Sequence, residues 1–212
     1  NADALAAVGT NGEVVALLVT VSSGLAVGAN VWIAHCIGQG DTEKIPGILH
    51  TALALAAALG AAGAVLGQFA ARPLLTALHT PEEILGLAVQ YLRIYFAGYP
   101  FLLLYDFGSA ILRAKGDSRR PFAALAASGV LNVVLNLFFV LACGLGVAGV
   151  AIATGLSNAF SAALVLLWLR QEAGVFHLSL HGARPDADSL QRILRIGVPS
   201  AVQGAVFCFA NL

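Results

Sequence analysis

Apolar residues fill six stretches of this chain, and each stretch is about as long as a bilayer requires. Five are complete and a sixth reaches the last residue, at positions 14–37, 48–71, 91–112, 121–142, 147–169 and 193–212. About 20 apolar residues of helix cross a hydrocarbon core of about 30 Å. The pattern therefore predicts an all-α integral membrane protein with five transmembrane helices and the start of a sixth.

Composition agrees with this prediction and argues against other classes. Of the 212 residues, 59% are hydrophobic and 10% are charged, and the mean hydropathy is +0.87, whereas about a quarter of the residues in a soluble domain are charged. The formal net charge of zero argues against a basic nucleic-acid-binding protein, so no nucleic-acid partner is expected. Cys36, Cys143 and Cys208 are spaced like neither a zinc site nor a disulfide scaffold. We predict no metal site and no cofactor.

Lysine and arginine residues are concentrated on one side of the predicted membrane. If the helices alternate in direction, only Arg72 and Arg93 lie on the opposite side, and nine residues share the first: Lys44, Arg113, Lys115, Arg119, Arg120, Arg170, Arg184, Arg192 and Arg195. The positive-inside rule makes that side cytoplasmic. We expect a multi-pass plasma-membrane protein with residue 1 outside and the long polar segment 170–192 in the cytoplasm. Because the chain starts outside and stops within an apolar run, we expect it to be part of a longer protein.

Four polar side chains lie within the fourth and fifth predicted helices. Asn132 and Asn136 are four residues apart, as are Thr154 and Asn158, so each pair shares a helix face. A tight glycine turn at 143–146 makes the two helices antiparallel neighbours. At 1.5 Å per residue, Asn136 is expected level with Thr154, about 10 Å deep, and Asn132 level with Asn158. The pairs either bond the two helices together or line a cavity, and the clustering of four such groups favours the cavity.

The third predicted helix carries two further candidates. Asp106 is the only acidic residue well inside a predicted span, and intramembrane carboxylates face a cavity or a partner. It is either a protonatable coupling site or a carboxylate satisfied by a neighbouring helix or by water. Gly98 and Pro100 mark either a hinge or a static kink, because proline removes a backbone hydrogen bond. Two G-x-x-x-G motifs, at 24–28 and 63–67, are typical of close helix approaches.

Several segments resemble the multidrug and toxic compound extrusion (MATE) transporters. Segments 4–9, 24–29 and 33–41 are similar to the second family helix and its following loop, and segments 91–100, 110–113 and 116–121 to the fourth helix and its loop. Segment 145–154 is similar to the start of the sixth helix, and segment 196–199 to the start of the seventh. The similar segments follow the family order over nearly the whole chain.

The resemblance implies a MATE-like bundle of twelve transmembrane helices in two six-helix lobes around a cleft. This chain would then hold the N-terminal lobe without its first helix at 1–169, a cytoplasmic inter-lobe linker at 170–192 and the start of the C-terminal lobe at 193–212. The C-terminal lobe of the same protein and the lipid bilayer are therefore expected partners.

The resemblance also implies export of organic cations and other amphipathic compounds, driven by a proton or sodium gradient. In proton-coupled members, an Asn and an Asp of the fifth helix and a Thr of the sixth act together with a carboxylate of the first. Asn132, Asn136 and Thr154 stand at the first three of these positions. Asn136 departs from the pattern, because an amide does not titrate, and Phe207 stands where sodium-coupled members have a carboxylate. The coupling ion, H⁺ or Na⁺, stays open.

From the residues and the resemblance together we predict a cation-coupled antiporter that exports drugs or other small amphipathic solutes by alternating access. The predicted pathway residues are Asn132, Asn136, Thr154, Asn158 and Asp106, with Gly98 and Pro100 as the hinge. One alternative is a lipid-linked precursor flippase or polysaccharide exporter of the same superfamily. A second is a structural membrane lobe without transport of its own. No enzyme is predicted, because no nucleophile, base or metal constellation lies at depth.

Overall fold

The structure, a computed structural model, describes residues 2–179 and 185–210, with the side chains of 6–179, 185–208 and 210. Its six long helices are α1 (Ala2–Gln39), α2 (Ile45–Ala77), α3 (Glu82–Ala114), α4 (Arg119–Leu137), α5 (Gly146–Gln171) and α6 (Ala187–Ala210). Three short segments join them: 3-10 turns at Thr42–Lys44 and Gly174–Phe176, and a π-helical turn at Phe138–Ala142 directly after α4. Every regular element in the described ranges is helical.

Helices α1 to α5 are each long and apolar enough to cross a membrane, which confirms the predicted fold class. Several extend beyond the predicted spans, because the polar residues at their ends also adopt helix. α3, for example, begins with Glu82 and Glu83 in its first turn, where carboxylates interact favourably with the helix dipole. The sixth helix starts at Ala187 and therefore takes in the end of the polar segment 170–192.

Helix α3 lies at the centre of the bundle. It packs against α1, α2 and α5, and α6 packs mainly against α1. Leu92, Leu103 and Phe107 of α3 are fully buried. Lipid tails are as apolar as these side chains, so close van der Waals contact is what stabilises the packing.

Glycines permit the closest helix approaches, as the two G-x-x-x-G motifs predict. A Cβ atom at Gly28 would lie 2.1 Å from the carbonyl oxygen of Ile193 on α6. A Cβ atom at Gly67 on α2 would lie 2.0 Å from the ring of Phe96 on α3. Ordinary van der Waals contacts of a Cβ atom begin at 3.4 Å, so these positions hold glycine because no other side chain fits.

Helix α4 lies at the edge of the bundle. Only 11% of its most apolar stretch is buried against the rest of the protein, compared with 44% for α3. It packs mainly against α5, and Phe122, Val130 and Val133 are exposed along it. The connection to α5 is the predicted tight turn, in which Gly144 and Gly146 adopt the positive φ angles that glycine tolerates.

The segment after α5 is fastened to the α3–α4 loop by charged groups. The Glu172 carboxylate accepts hydrogen bonds from Lys115 and Arg120, the latter at 2.5 Å, and the Glu172 side chain is only 8% exposed. The Lys115 ammonium group, together with Arg120, holds the pKa of Glu172 below its usual value. Lys115 also lies 5.6 Å from the centre of the Phe176 ring, and Phe176 is buried.

The same segment also contacts the beginning of α2. The Nε2 atom of His50 lies 2.6 Å from the carbonyl oxygen of Ser179, and the backbone N–H of Asp186 donates to the Thr51 hydroxyl at 2.8 Å. The Asp186 carboxylate in turn accepts the N–H of Ser189 at 2.9 Å and caps α6. The described parts of segment 170–192 are therefore held against the helix ends on the arginine-rich face.

Candidate functional site

Polar side chains of α4 and α5 form a continuous hydrogen-bonded chain. The Asn136 amide donates to Asn132 Oδ1 at 2.9 Å, the Asn132 amide donates to Thr154 Oγ1 at 3.4 Å, and the Thr154 hydroxyl donates to the Val150 carbonyl at 3.0 Å. All three side chains are half-buried. Three of the four predicted groups, all except Asn158, are therefore connected, and a single long interhelical hydrogen bond joins α4 to α5 within them.

One acceptor among these hydrogen-bonded side chains has no partner. Asn136 Oδ1 is buried and makes no hydrogen bond to any residue that the structure describes. Buried amide oxygens are nearly always paired with protein or water. An amide oxygen also coordinates hard cations, so Asn136 Oδ1 is suited to accept a proton donor or a cation that enters from outside the protein.

A groove adjoins the hydrogen-bonded side chains at Asn136. It has a volume of about 410 Å³ and is lined by Val133, Asn136, Leu137, Val140, Leu141 and Val150. Apolar side chains thus form most of its wall, and Asn136 is its only polar lining residue. Ligand sites of transporters and enzymes commonly combine apolar walls with a few orienting polar groups, and this groove has that composition.

The pairing of the polar groups differs by one helical turn from the predicted one. Asn132, rather than Asn136, is bonded to Thr154. The π-helical turn at Phe138–Ala142 explains the difference, because i→i+5 bonding, as in Cys143 N–H to Phe138 O, places more residues in each turn. The stretch between Asn136 and the glycine turn at 143–146 is therefore shorter than an α-helix of the same number of residues, which brings Asn132 to the level of Thr154.

The other two predicted pathway residues, Asn158 and Asp106, are not part of the hydrogen-bonded chain of Asn136, Asn132 and Thr154. Asn158 is half-buried, and its side chain has no hydrogen-bond partner among the described residues. Asp106 is also half-buried, and its Oδ2 atom is buried without a hydrogen bond to any described group. Neither residue lines the groove at Asn136. A protonatable coupling site and a carboxylate satisfied by a neighbouring helix or by water both stay predictions for Asp106.

The predicted hinge residues lie where α3 is crossed by two other helices. α3 continues as a helix through Pro100. A Cβ atom at Gly60 of α2 would lie 2.5 Å from the Cα of Pro100, and one at Gly98 would lie 3.0 Å from the Cα of Gly155 on α5. Gly98 and Pro100 therefore mark a closely packed crossing, and bending at this crossing stays a prediction.

A second set of polar groups, which lies on α1, was not identified from the sequence. The Asn11 amide donates to the Ala88 carbonyl at 3.1 Å, and the Asn30 amide donates to the Ala110 carbonyl at 2.9 Å. Between them along α1, the Ser22 hydroxyl lies 2.9 Å from the Tyr99 hydroxyl. All three contacts join α1 to α3. Their spacings of 11 and 8 residues follow one face of α1, a periodicity that was present in the sequence.

The five candidate spans indicate a polytopic helical membrane protein. Comparison with known proteins specifies the family. The MatE family model matches residues 1–138, which is more than half of the chain, and the chain belongs to this family. The resemblance seen in the sequence is thus confirmed, and the family places the chain among transporters and not among enzymes.

Individual relatives match nearly all of the chain. The probable multidrug resistance protein YoeA of Bacillus subtilis (strain 168) is 30% identical over 207 residues, which cover 94% of this chain and 45% of YoeA. An inward-facing structure of a multidrug resistance MATE family transporter is 30% identical, with a TM-score of 0.89 over 98% of this chain and 48% of that one. The chain therefore spans just under half the length of these relatives.

An outward-facing structure of a MATE family transporter matches almost equally well. Its TM-score is 0.87 at 30% identity, over 96% of this chain and 46% of that chain. The arrangement of helices described here therefore fits proteins in both an inward-facing and an outward-facing state.

Proposed function

We propose that this chain forms the N-terminal half of a cation-coupled antiporter that exports small amphipathic or cationic solutes. The buried, unpaired Asn136 Oδ1 atom beside an apolar groove carries the proposal. The groove wall offers contact surface for varied apolar solutes, and the Asn136 oxygen offers a place for a cation. The relatives described as multidrug resistance proteins support this substrate class.

The proposal includes an arrangement in the membrane. Residues 1–169 form the N-terminal lobe, 170–192 the inter-lobe linker, and 193–212 the start of the C-terminal lobe. The arginine-rich face is cytoplasmic in a plasma membrane, and residue 1 is outside. Rigid-body movement of the two lobes would open the groove alternately to each side, with ion and solute favouring different states.

In this mechanism Asn132, Asn136 and Thr154 orient the solute or coordinate the ion. Asn158 lies one turn along α5 from Thr154 and extends the polar surface toward the cytoplasmic end. Asp106 is the only acidic residue well inside a predicted span, and in this mechanism it binds and releases a proton. Gly98 and Pro100 are the positions where α3 bends during the transition.

Efflux measurements test the proposal in the full-length protein that carries this chain. Expressed in a pump-deficient bacterial strain, it is expected to lower dye accumulation and to raise resistance to several cationic compounds. A protonophore abolishes efflux if H⁺ is coupled, whereas replacement of external Na⁺ abolishes it if Na⁺ is coupled. Unchanged accumulation of every compound would contradict drug export.

Thiol labelling tests the groove separately from the substrate. In a variant lacking Cys36, Cys143 and Cys208, single cysteines at 132, 136, 154 and 158 are expected to react with an aqueous thiol reagent. Cysteines at the buried positions 11 and 22 serve as controls that stay unlabelled. If all four test positions are as unreactive as the controls, the polar groups only hold the helices together.

A further inference from the structure

A second cavity lies between α1 and α6 at the arginine-rich face. Its volume is about 270 Å³, and it is lined by Val31, Trp32, His35, Arg192, Arg195 and Ile196. It is separate from the groove at Asn136, which lies between α4 and α5. Two of its lining residues are arginines and a third, His35, offers ring nitrogens as hydrogen-bond donors.

The charges around this cavity are only partly compensated. Arg192 bonds Asp188 through its Nε atom at 2.9 Å, and its guanidinium group lies 4.4 Å from the centre of the Trp32 ring. Arg195 is exposed and has no ion pair with any residue in the described ranges. The cavity therefore carries one uncompensated positive charge at its rim.

The surface leading away from the cavity is apolar on both helices. On α1, Val27 and Val31 precede His35 at intervals of four residues, and on α6, Val198 and Val202 follow Arg195 at intervals of three and seven. These spacings keep each set on one helix face. All four valines are exposed, by 39% to 56%. The surface is thus polar and positive at the arginine-rich end and apolar toward the middle of the membrane.

We propose that this surface binds an anionic phospholipid, with its phosphate group at Arg195 and His35 and its acyl chains along the valines. The surface is complementary to such a lipid, because its positive end faces the negative headgroup and its apolar part faces the acyl chains. A water-soluble phosphate compound complements only the rim. The site requires α1 and α6 to be in contact, because each helix supplies one side of it.

Fluorescence quenching in vesicles tests the proposal in the full-length protein. Trp168 and any tryptophan outside this chain are replaced by phenylalanine, so that Trp32 reports on the cavity. The protein is reconstituted in phosphatidylcholine vesicles that contain increasing fractions of either brominated phosphatidylglycerol or brominated phosphatidylcholine. One basic side chain near an anionic lipid surface corresponds to about fivefold in affinity. We expect brominated phosphatidylglycerol to quench Trp32 at about fivefold lower mole fraction.

Matched variants separate this site from general surface charge. Arg195→Gln is expected to remove the preference for phosphatidylglycerol, and Arg195→Lys to retain it. Arg170→Gln makes the same change in charge at an exposed residue of the same face and is expected to retain it as well. Equal quenching by both lipids in the parent protein, or an equal loss in Arg170→Gln, would overturn the proposal.

A competition experiment distinguishes the lipid from a soluble ligand. Millimolar inorganic phosphate, added at constant ionic strength, is expected to leave quenching by brominated phosphatidylglycerol unchanged. If phosphate relieves the quenching selectively in the parent protein and not in Arg195→Gln, the cavity binds a soluble phosphate group and the lipid assignment is wrong. None of these measurements depends on transport, so they stand apart from the efflux tests.

Discussion

Two sets of polar side chains lie within the membrane-spanning helices, and they differ in what surrounds them. Asn11, Ser22 and Asn30 of α1 each bond a group on α3, and the first two are fully buried. Asn132 and Asn136 of α4 are half-buried, and Asn136 adjoins a groove. Asn11 Oδ1 is as buried and unpaired as Asn136 Oδ1, so the feature that distinguishes the second set is the groove beside it.

The comparison shows why residue type alone does not identify a transport site in a membrane helix. Asparagine occurs in both sets, and its side chain has the same hydrogen-bonding groups in each. The difference lies in the burial of the helix that carries it, since 33% of the most apolar stretch of α1 is buried and only 11% of that of α4. Variants that remove equivalent amides from the two sets therefore give the sharpest test.

The largest expected effect is on transport by Asn132→Leu. This change removes the middle of the hydrogen-bonded chain, so Asn136 and Thr154 lose their common partner. We expect the efflux rate per folded molecule to fall about tenfold or more, which corresponds to about 1.4 kcal/mol. Dye efflux from energised vesicles, normalised to the folded protein, measures this.

Asn30→Leu is the matched control for that experiment. It removes an amide of the same size from α1, where it bonds the Ala110 carbonyl, and it is expected to keep most of the efflux rate. Equal losses of transport in the two variants would mean that both sets are structural or that both are functional. The distinction drawn here would then be wrong.

The next effect is on stability and compares the central helix with the edge helix. Gly60→Ala places a Cβ atom 2.5 Å from the backbone of Pro100, which cannot move aside as a side chain would. Overpacking of this kind costs about 1–3 kcal/mol. Gly129→Ala on α4 meets no atom within 4 Å and is expected to keep stability or to raise it by up to about 1 kcal/mol, because alanine favours a helix more than glycine does. Thermal unfolding in detergent measures both, and similar melting temperatures for the two variants would contradict the packing described for α3.

A smaller stability effect is expected when single amides are removed. Asn11→Ala deletes a bond to the neighbouring helix, and such bonds contribute about 0.6 kcal/mol on average and at most about 1.7. Asn136→Ala deletes only a bond within α4, so it is expected to cost less than Asn11→Ala. Chemical denaturation of the two variants measures the difference. A greater cost for Asn136→Ala would indicate that its amide has a structural role.

Much of this architecture was predictable from the sequence, and the parts that were not have physical reasons. Hydropathy identified the five spans because helices of that length and composition have no other stable environment. The glycine motifs indicated two close crossings, since their spacing keeps both glycines on one face. The pairing of Asn132 with Thr154 was not predictable, because a π-helical turn at Phe138–Ala142 has no distinctive sequence pattern and shifts the alignment by a turn.

The contacts of α1 and of Glu172 show a second limit of the sequence. Asn11 and Asn30 have visible periodicity, but no pattern in the sequence tells whether a neighbouring carbonyl or water receives their amides. Glu172 reads as an ordinary polar residue after a helix, and its partners Lys115 and Arg120 are more than 50 positions away. Contacts between distant segments depend on helix packing, which a single sequence does not specify.

The smallest expected effect concerns the segment after α5, which Glu172 fastens to Lys115 and Arg120 at the α3–α4 connection. Because Lys115 and Arg120 lower the pKa of Glu172 in the folded protein, its contribution to stability is present above the usual glutamate pKa of about 4.3 and is lost as the pH falls through the lower folded-state value. Glu172→Gln is expected to destabilise the segment by at most about 1 kcal/mol near neutral pH. Hydrogen exchange at the Leu178 amide, which bonds Leu169, measures this. Glu43→Gln, at an exposed position on the same face, is the control, and equal exchange rates in both variants at pH 7 would mean that Glu172 does not hold the segment.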